Sequence, residues 1–268
     1  MDFEFDADGF LTKRSSDLED GIRAAYCPLF AGARNINRDC HDLLFSATVR
    51  NHDHRAVIIA TLFMRCLDHY QATIILLGRG VIPDAKVTLR ALVECIFKMR
   101  AVSINSSSLE IFIKQDLLYR LKSMNNARNN SYSNIDEARS KITDDDIAQL
   151  KAEVKRRGAK EIKIVEWSRL ADMHEWYIAH YTLLSDAIHT PVRELEAYLV
   201  LGEDSEIKQL RYAPALDDIP LLLLTAAQCL LIGASSFDKT FELGFGPKGD
   251  AHSRFVEAGF RSLEEADS

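Results

Sequence analysis

The strongest constraint on the fold is a stretch from Asp53 to Leu77 that is apolar nearly all round a helix. A helix without a broad polar face belongs at the centre of a bundle. The segment Gly78–Gly80 ends this helix, and Pro83 stands at a favoured position for the start of the next helix, which runs to Val102. Because the connection is short, the two helices are predicted to form an antiparallel helical hairpin.

Helical periodicity extends through most of the chain, and no series of alternating apolar and polar residues indicates a sheet. Another strongly apolar helix is predicted from Leu221 to Leu243, after a start formed by Asp217, Asp218 and Pro220. We therefore expect an all-α protein, a single large multi-helix bundle with the antiparallel hairpin at its centre. The bundle is predicted to occupy residues 1–245, and residues 246–268 to form a polar C-terminal tail.

The composition of the 268 residues, 47% apolar and 27% charged, is typical of a soluble globular protein. The net charge of -7 gives no overall attraction to nucleic acid or to an anionic membrane. Five scattered cysteines favour reduced thiols, and the acidic segment 1–6 is unlike a secretory signal, so we expect a cytoplasmic protein. The apolar run Ile219–Ala234 has 16 residues, whereas a membrane span needs about 20. This run predicts a buried helix and no membrane contact.

Four charged residues recur every four positions on the otherwise apolar second helix of the hairpin: Lys86, Arg90, Glu94 and Lys98. Such charges must reach solvent or be paired, because an unpaired buried charge strongly destabilises a fold. One interpretation is a polar pocket in which Arg90 contacts a phosphate and Glu94 orients the arginine. The alternative is a structural ion pair, either between Arg90 and Glu94 on one helix or between two helices.

A second stripe places Tyr177, Tyr181, Ser185 and His189 on one face of a helix, because they also recur every four residues. Pro191 disfavours helical geometry at the preceding residue, so this helix should end close to His189. In a functional interpretation, His189 is a general acid or base, with Tyr181 and Ser185 beside it. In the alternative, both tyrosines fill the core, Ser185 bonds a helix carbonyl and His189 caps the helix end.

Two blocks of sequence resemble a known family. The first contains Leu76–Gly80, Pro83–Lys86 and Leu89–Glu94, and the second contains Val165–Trp167 followed by the stripe that ends at His189. In order and spacing these blocks resemble the bacterial family called domain of unknown function 5677, over roughly residues 40–240. A family of unknown function implies no particular activity.

The helical architecture and the Ser-x-x-x-His block are also similar to the HEPN domains of prokaryotic toxin and defence systems, many of which are metal-free ribonucleases. The signature of those domains is an arginine followed, after four to six residues, by a histidine. The corresponding positions before His189 hold Thr182, Leu183 and Leu184. A catalytic His189 would therefore need its cationic partner from another helix, and Arg90 is the best candidate.

Two further segments have a structural explanation beside a functional one. The sequence Asn51-His52-Asp53-His54 offers metal-ligating side chains, but Asp53 or Asn51 is better explained as a helix cap. The basic segment Lys151–Lys163 could contact nucleic acid, but basic residues near a helix C-terminus more simply complement the helix dipole.

Two functions follow as hypotheses. The first is a HEPN-like metal-free ribonuclease or a nucleotide-acting toxin or defence protein, whose partner is RNA or a nucleotide. In it His189 moves protons, Arg90 stabilises negative charge on phosphorus and Glu94 holds Arg90. The second is a non-catalytic helical module that binds a partner protein or a small ligand. Neither hypothesis uses a cofactor or a metal, and exposed apolar helix surface favours a homodimer in both.

Overall fold

A computed structural model describes residues 7–12, 15–50, 52–189, 191–202, 204–210, 212–213 and 216–266, without the side chains of Arg193, Glu194 and Ala197. The acidic segment 1–6 lies outside the described residues, as do Asn51 and the residue between His189 and Pro191. The α-helices are α1 (Ser15–Ala25), α2 (Cys27–Ser46), α3 (His54–Gly78), α4 (Ile82–Ile104), α5 (Ser106–Asn129), α6 (Asp136–Ser140), α7 (Asp144–Arg157), α8 (Ile164–Leu170), α9 (His174–Trp176), α10 (Thr182–His189), α11 (Val192–Leu195), α12 (Ile219–Phe241) and α13 (Gly246–Ala266).

The predicted all-α bundle and its central antiparallel hairpin are confirmed, with α3 and α4 as the two arms of the hairpin. Their register is fixed by side chains that meet between the helices. The hydroxyls of Thr73 and Thr88 lie 2.9 Å apart, and the Cys95 thiol donates to the Leu62 carbonyl at 3.3 Å. Each arm buries a broad apolar surface, as its near-continuous apolar sequence predicts.

Helix α12 completes the core by packing against both arms of the hairpin. The rings of Phe63 and Phe237 stack with their centroids 4.6 Å apart. Gly233 permits close approach to α4, since a Cβ atom there would lie 2.6 Å from Ile96 Cδ1. By length and composition α12 could cross a membrane, but 72% of its most apolar 18-residue segment is buried inside the bundle. The fold therefore uses this helix as core.

Local signals in the sequence explain where the hairpin helices begin and end. The Asp53 side chain accepts a hydrogen bond from the Ala56 amide at 2.9 Å, so the predicted cap of α3 is confirmed for this residue. Gly80 has φ +74° in the connection, a conformation that glycine adopts without strain. Pro83 lies in the first turn of α4, where its missing amide proton is not needed.

The segment after residue 245, predicted as a polar tail, forms α13, which packs on α2 and α12. Val256 is buried in this contact, while most of the helix faces solvent. Asp39 of α2 forms an ion pair with Lys248, whose Nζ atom lies 2.7 Å from Asp39 Oδ1. The Nε2 atom of His252 lies 2.8 Å from Asp39 Oδ2. The polar composition therefore belongs to an amphipathic helix with a narrow apolar face.

A small sheet follows α11, although no alternation of apolar and polar residues in the sequence indicates one. Strands β1 (Leu199–Leu201) and β2 (Ile207–Leu210) are antiparallel, with Leu199 opposite Leu210 and Leu201 opposite Ile207. The register shifts within the pair, so Lys208 is an extra residue in β2. Opposed residues share a face of a sheet, and so do residues two apart. The bulge thus brings all four Leu and Ile side chains to one face.

Candidate functional site

The four charged residues spaced along α4 lie on the side of the helix that faces other helices and solvent. Each of them is partly buried, with between 19% and 29% of its side chain exposed. Lys86 pairs with Asp218 at 2.8 Å, at the start of α12. Lys98 lies 3.8 Å from a Glu94 carboxylate oxygen, a long contact. The middle two residues, Arg90 and Glu94, form the centre of a larger cluster.

Helix α10 packs antiparallel to α4, and together with the turn before it brings two predicted residues, Ser185 and Tyr181, to Arg90. Arg90 Nε donates to Ser185 Oγ at 3.0 Å, and Arg90 Nη2 lies 3.1 Å from Glu94 Oε1. The same Nη2 donates to the Tyr181 hydroxyl. The guanidinium carbon also lies 4.6 Å from the centre of the Tyr181 ring, a cation–π distance. These four residues are called the Arg90 cluster below.

Within the Arg90 cluster, the Tyr181 hydroxyl donates to Glu94 Oε1 at 2.8 Å. Burial raises the pKa of Tyr181, and its hydrogen bond to the Glu94 carboxylate raises it further. The phenol therefore stays protonated at neutral pH and cannot act as a base there. The Ser185 hydroxyl donates to the Tyr181 carbonyl at 2.7 Å, the helix back-bond that the structural alternative predicts.

The turn that carries Tyr181 is a π-helix, Tyr177–Tyr181, inserted between α9 and α10. The rings of Tyr177 and Tyr181 stack with centroids 5.2 Å apart, and His174 stacks on Tyr177 at 5.9 Å. A π-helical turn is rare and is frequent at functional sites. Here the Tyr177 ring stacks on Tyr181 of the Arg90 cluster, and the His174 ring stacks on the other ring neighbour, Tyr177.

His189 does not join the Arg90 cluster. It is the last residue of α10 and is exposed, with no hydrogen bond or ion pair to any described residue. Since α4 and α10 are antiparallel and Ser185 faces Arg90, His189 stands one turn further on, at the level of Lys86. The structure therefore brings together Arg90, Glu94, Tyr181 and Ser185, and leaves His189 apart from them.

The sequence did not indicate His69 of α3, which lies near the Arg90 cluster. Burial lowers the pKa of His69 and the Arg65 cation lowers it further, while Asp68 and Glu94 act in the opposite direction. The imidazole is therefore neutral at physiological pH. The hairpin itself could have indicated His69. Thr73 of α3 lies opposite Thr88 of α4, so a residue one turn earlier in α3, such as His69, lies opposite a residue about one turn later in α4, between Arg90 and Glu94.

Fold and site together define an all-α bundle protein with a partly buried Arg–Glu–Tyr–Ser cluster between its central hairpin and a π-interrupted helix. Residues 56–207 match a family of unknown function, DUF5677. This match covers more than half of the chain, and the chain belongs to that family. No curated protein and no solved structure matches it. The similarity to HEPN domains stays a prediction.

Proposed function

We propose that this protein is a non-catalytic binding module that works as a symmetric homodimer, joined through the apolar face of its β-hairpin. The apolar face consists of Leu199, Leu201, Ile207 and Leu210. The observation that carries the proposal is the exposure of this face: 48% for Leu201, 62% for Ile207 and 74% for Leu210. Leu199 is half-buried. A bulge that gathers these side chains on one face and leaves three of them in water is explained by a partner.

The hairpin has little support from its own chain. Its two strands pair only with each other among the described residues, and their main packing is within the hairpin. An isolated two-stranded hairpin is at best marginally stable in water and needs further strands or a packing surface. Full burial of an exposed Leu or Ile side chain contributes about 1.5–3 kcal/mol, and these partly covered side chains contribute the corresponding fraction. A partner therefore stabilises the hairpin as well as the assembly.

A second copy of the chain fits this face better than a charged partner does. Glu206 and Lys208 of the hairpin pair with each other at 3.7 Å, and Asp204 adds a negative charge at the turn, so the hairpin offers no basic surface. A nucleic acid would need a basic surface, whereas the chain carries a net charge of -7. An apolar face is self-complementary, and a twofold axis lets the same patch on both protomers meet.

The Arg90 cluster supports the non-catalytic part of the proposal. Nε and Nη2 of Arg90 already have acceptors in the same chain, and Glu94 neutralises the cation. A phosphate would have to displace a carboxylate that is held by Tyr181 as well. Ser185 has its proton committed to a backbone carbonyl, and among the described residues no basic side chain accepts a hydrogen bond from it. These contacts suit a clamp between α4 and α10.

The enzyme hypothesis has one observation in its favour. His189 is exposed at the level of Lys86, so a ligand phosphate could meet both groups at the surface. However, the developing negative charge would then have to be stabilised without Arg90. The geometry supports the binding module better.

The dimer is tested by sedimentation equilibrium of the full chain over a concentration series. We expect the wild-type chain to dimerise. We expect the dimer dissociation constant of the variant Ile207→Asp/Leu210→Asp to be at least about a hundredfold higher, equivalent to about 2.8 kcal/mol. Phe45→Asp is the matched control, because Phe45 is 78% exposed on α2, outside the hairpin. A monomeric wild type, or equal dimerisation by the double variant, would contradict the proposal.

The non-catalytic part is tested on total RNA with and without a chelator. We expect no cleavage by the wild-type chain. Chelator-resistant cleavage that disappears in His189→Ala, with an unchanged circular dichroism spectrum, would instead support a metal-free ribonuclease.

A further inference from the structure

A pocket of about 350 Å³ opens between α3, α4 and α5, on the far side of Lys98 from Arg90. Ile58, Phe112 and Ile113 supply its apolar walls, and Lys98 and Asp116 also line it. Its volume is at the lower end of the range for ligand pockets, which favours a small molecule.

The two charged residues of this pocket, Lys98 and Asp116, do not form an ion pair with each other. Asp116 makes no hydrogen bond or ion pair with any described residue, so its carboxylate stays more than 4.0 Å from the Lys98 ammonium. The Lys98 ammonium has one carboxylate nearby, Glu94, at the long distance of 3.8 Å. The pocket thus presents a cation and an anion, separated, above apolar walls.

A hydroxyl donor is fixed at the same pocket. The Tyr119 hydroxyl accepts a hydrogen bond from Gln115 Nε2 at 3.1 Å. Gln115 is itself held by the Ile162 carbonyl at 3.2 Å and by the Trp167 indole at 3.2 Å. Burial raises the pKa of Tyr119, as do the carboxylates of Glu161 and Glu94. The phenol therefore keeps its proton, which has no acceptor among the described residues.

We propose that this pocket binds a small zwitterion with an apolar side chain, the chemistry of an apolar α-amino acid. The ligand carboxylate meets Lys98 and the Tyr119 hydroxyl, and the ligand ammonium meets Asp116. The apolar side chain packs against Phe112 and its neighbours. A ligand with one charge alone would leave either Lys98 or Asp116 facing it without a partner.

This site is separate from the proposed dimer, and it is connected to the Arg90 cluster through Lys98. A ligand carboxylate competes with Glu94 for the Lys98 ammonium. Binding would then leave Glu94 to Arg90 and Tyr181 alone, so the clamp between α4 and α10 responds to the ligand.

The test is isothermal titration calorimetry of the full chain with L-phenylalanine and L-leucine. The same titration with 2-phenylethylamine and with 3-phenylpropionate removes one ligand charge at a time. We expect saturable binding of at least one amino acid, and at least about tenfold weaker binding of both single-charge analogues. Binding of 3-phenylpropionate or 2-phenylethylamine as tight as that of the amino acid would overturn the assignment.

Variants identify the pocket. Lys98→Met and Asp116→Asn are each expected to weaken amino-acid binding at least about tenfold. Lys114→Met is the matched control, because Lys114 stands on α5 and pairs with Glu110 outside the pocket. Circular dichroism checks that Lys98→Met folds, and Asp116→Asn removes an exposed group that no other residue needs. Absence of saturable binding by the folded wild type, or equal binding by both variants, would refute the site.

Discussion

The Arg90 cluster gives the sharpest test of the structural account, through the variant Arg90→Ala. The substitution removes the ion pair to Glu94, the hydrogen bond to Ser185, and the hydrogen bond and cation–π contact to Tyr181. It leaves the Glu94 carboxylate partly buried with a reduced set of partners. The clamp between α4 and α10 is lost in one step.

The size of the effect follows from burial. Removing one member of a fully buried ion pair costs about 3–5 kcal/mol. Arg90 and Glu94 have 19% and 27% of their side chains exposed, and Lys98 remains 3.8 Å from the carboxylate. We therefore expect a loss of about 2–3 kcal/mol in the free energy of unfolding. For a chain of this size that corresponds to a melting temperature lower by about 4–12 °C.

The assay is urea unfolding followed by circular dichroism. Lys86→Ala is the matched control on the same stripe, because it breaks one ion pair to a half-exposed Asp218 and should cost less than about 1 kcal/mol. The double variant Arg90→Met/Glu94→Leu removes both charges, and we expect it to be more stable than Arg90→Ala. An Arg90→Ala stability within about 0.5 kcal/mol of wild type would refute the clamp.

Three further predictions concern the bundle. Asp53→Ala removes the cap of α3 and should lower the free energy of unfolding by about 1 kcal/mol, measured in urea. Gly233→Val overfills the contact between α12 and α4 and should destabilise by about 1–3 kcal/mol; unchanged melting would contradict the close approach. Burial alone would raise the pKa of Asp39, but hydrogen bonds from Lys248 and His252 hold it below its ordinary value. Its contribution is therefore present above about pH 4 and lost as the pH falls through the lower folded value, so the stability difference between wild type and Asp39→Asn should shrink there.

The fold was predictable where a local pattern determines the structure. A near-continuous apolar stretch with glycines and a proline at its end predicts the hairpin of α3 and α4. The position of Asp53 just before this stretch predicts that it caps α3. The β-hairpin was not predictable in this way. Strands of three and four residues are too short to show alternation, and the Lys208 bulge breaks the alternation that exists.

The site was predictable in part for the same reason. Spacing by four placed Arg90 with Glu94, and Tyr181 with Ser185, on single helix faces, and the structure brings both pairs together. Spacing could not give the register between α4 and α10, because that register depends on packing between residues such as Arg90 and Ser185, which are 95 residues apart in the sequence. That register leaves His189 one turn beyond Arg90.

The central claim is that the β-hairpin is completed by a second copy of the chain. Amide hydrogen exchange of residues 199–210 across a protein concentration series tests it most directly. The account predicts protection of these amides that rises with concentration, while the amides of α3 and α12 stay protected throughout, because the hairpin is covered only in the dimer. Fast exchange of residues 199–210 at every concentration would contradict the claim.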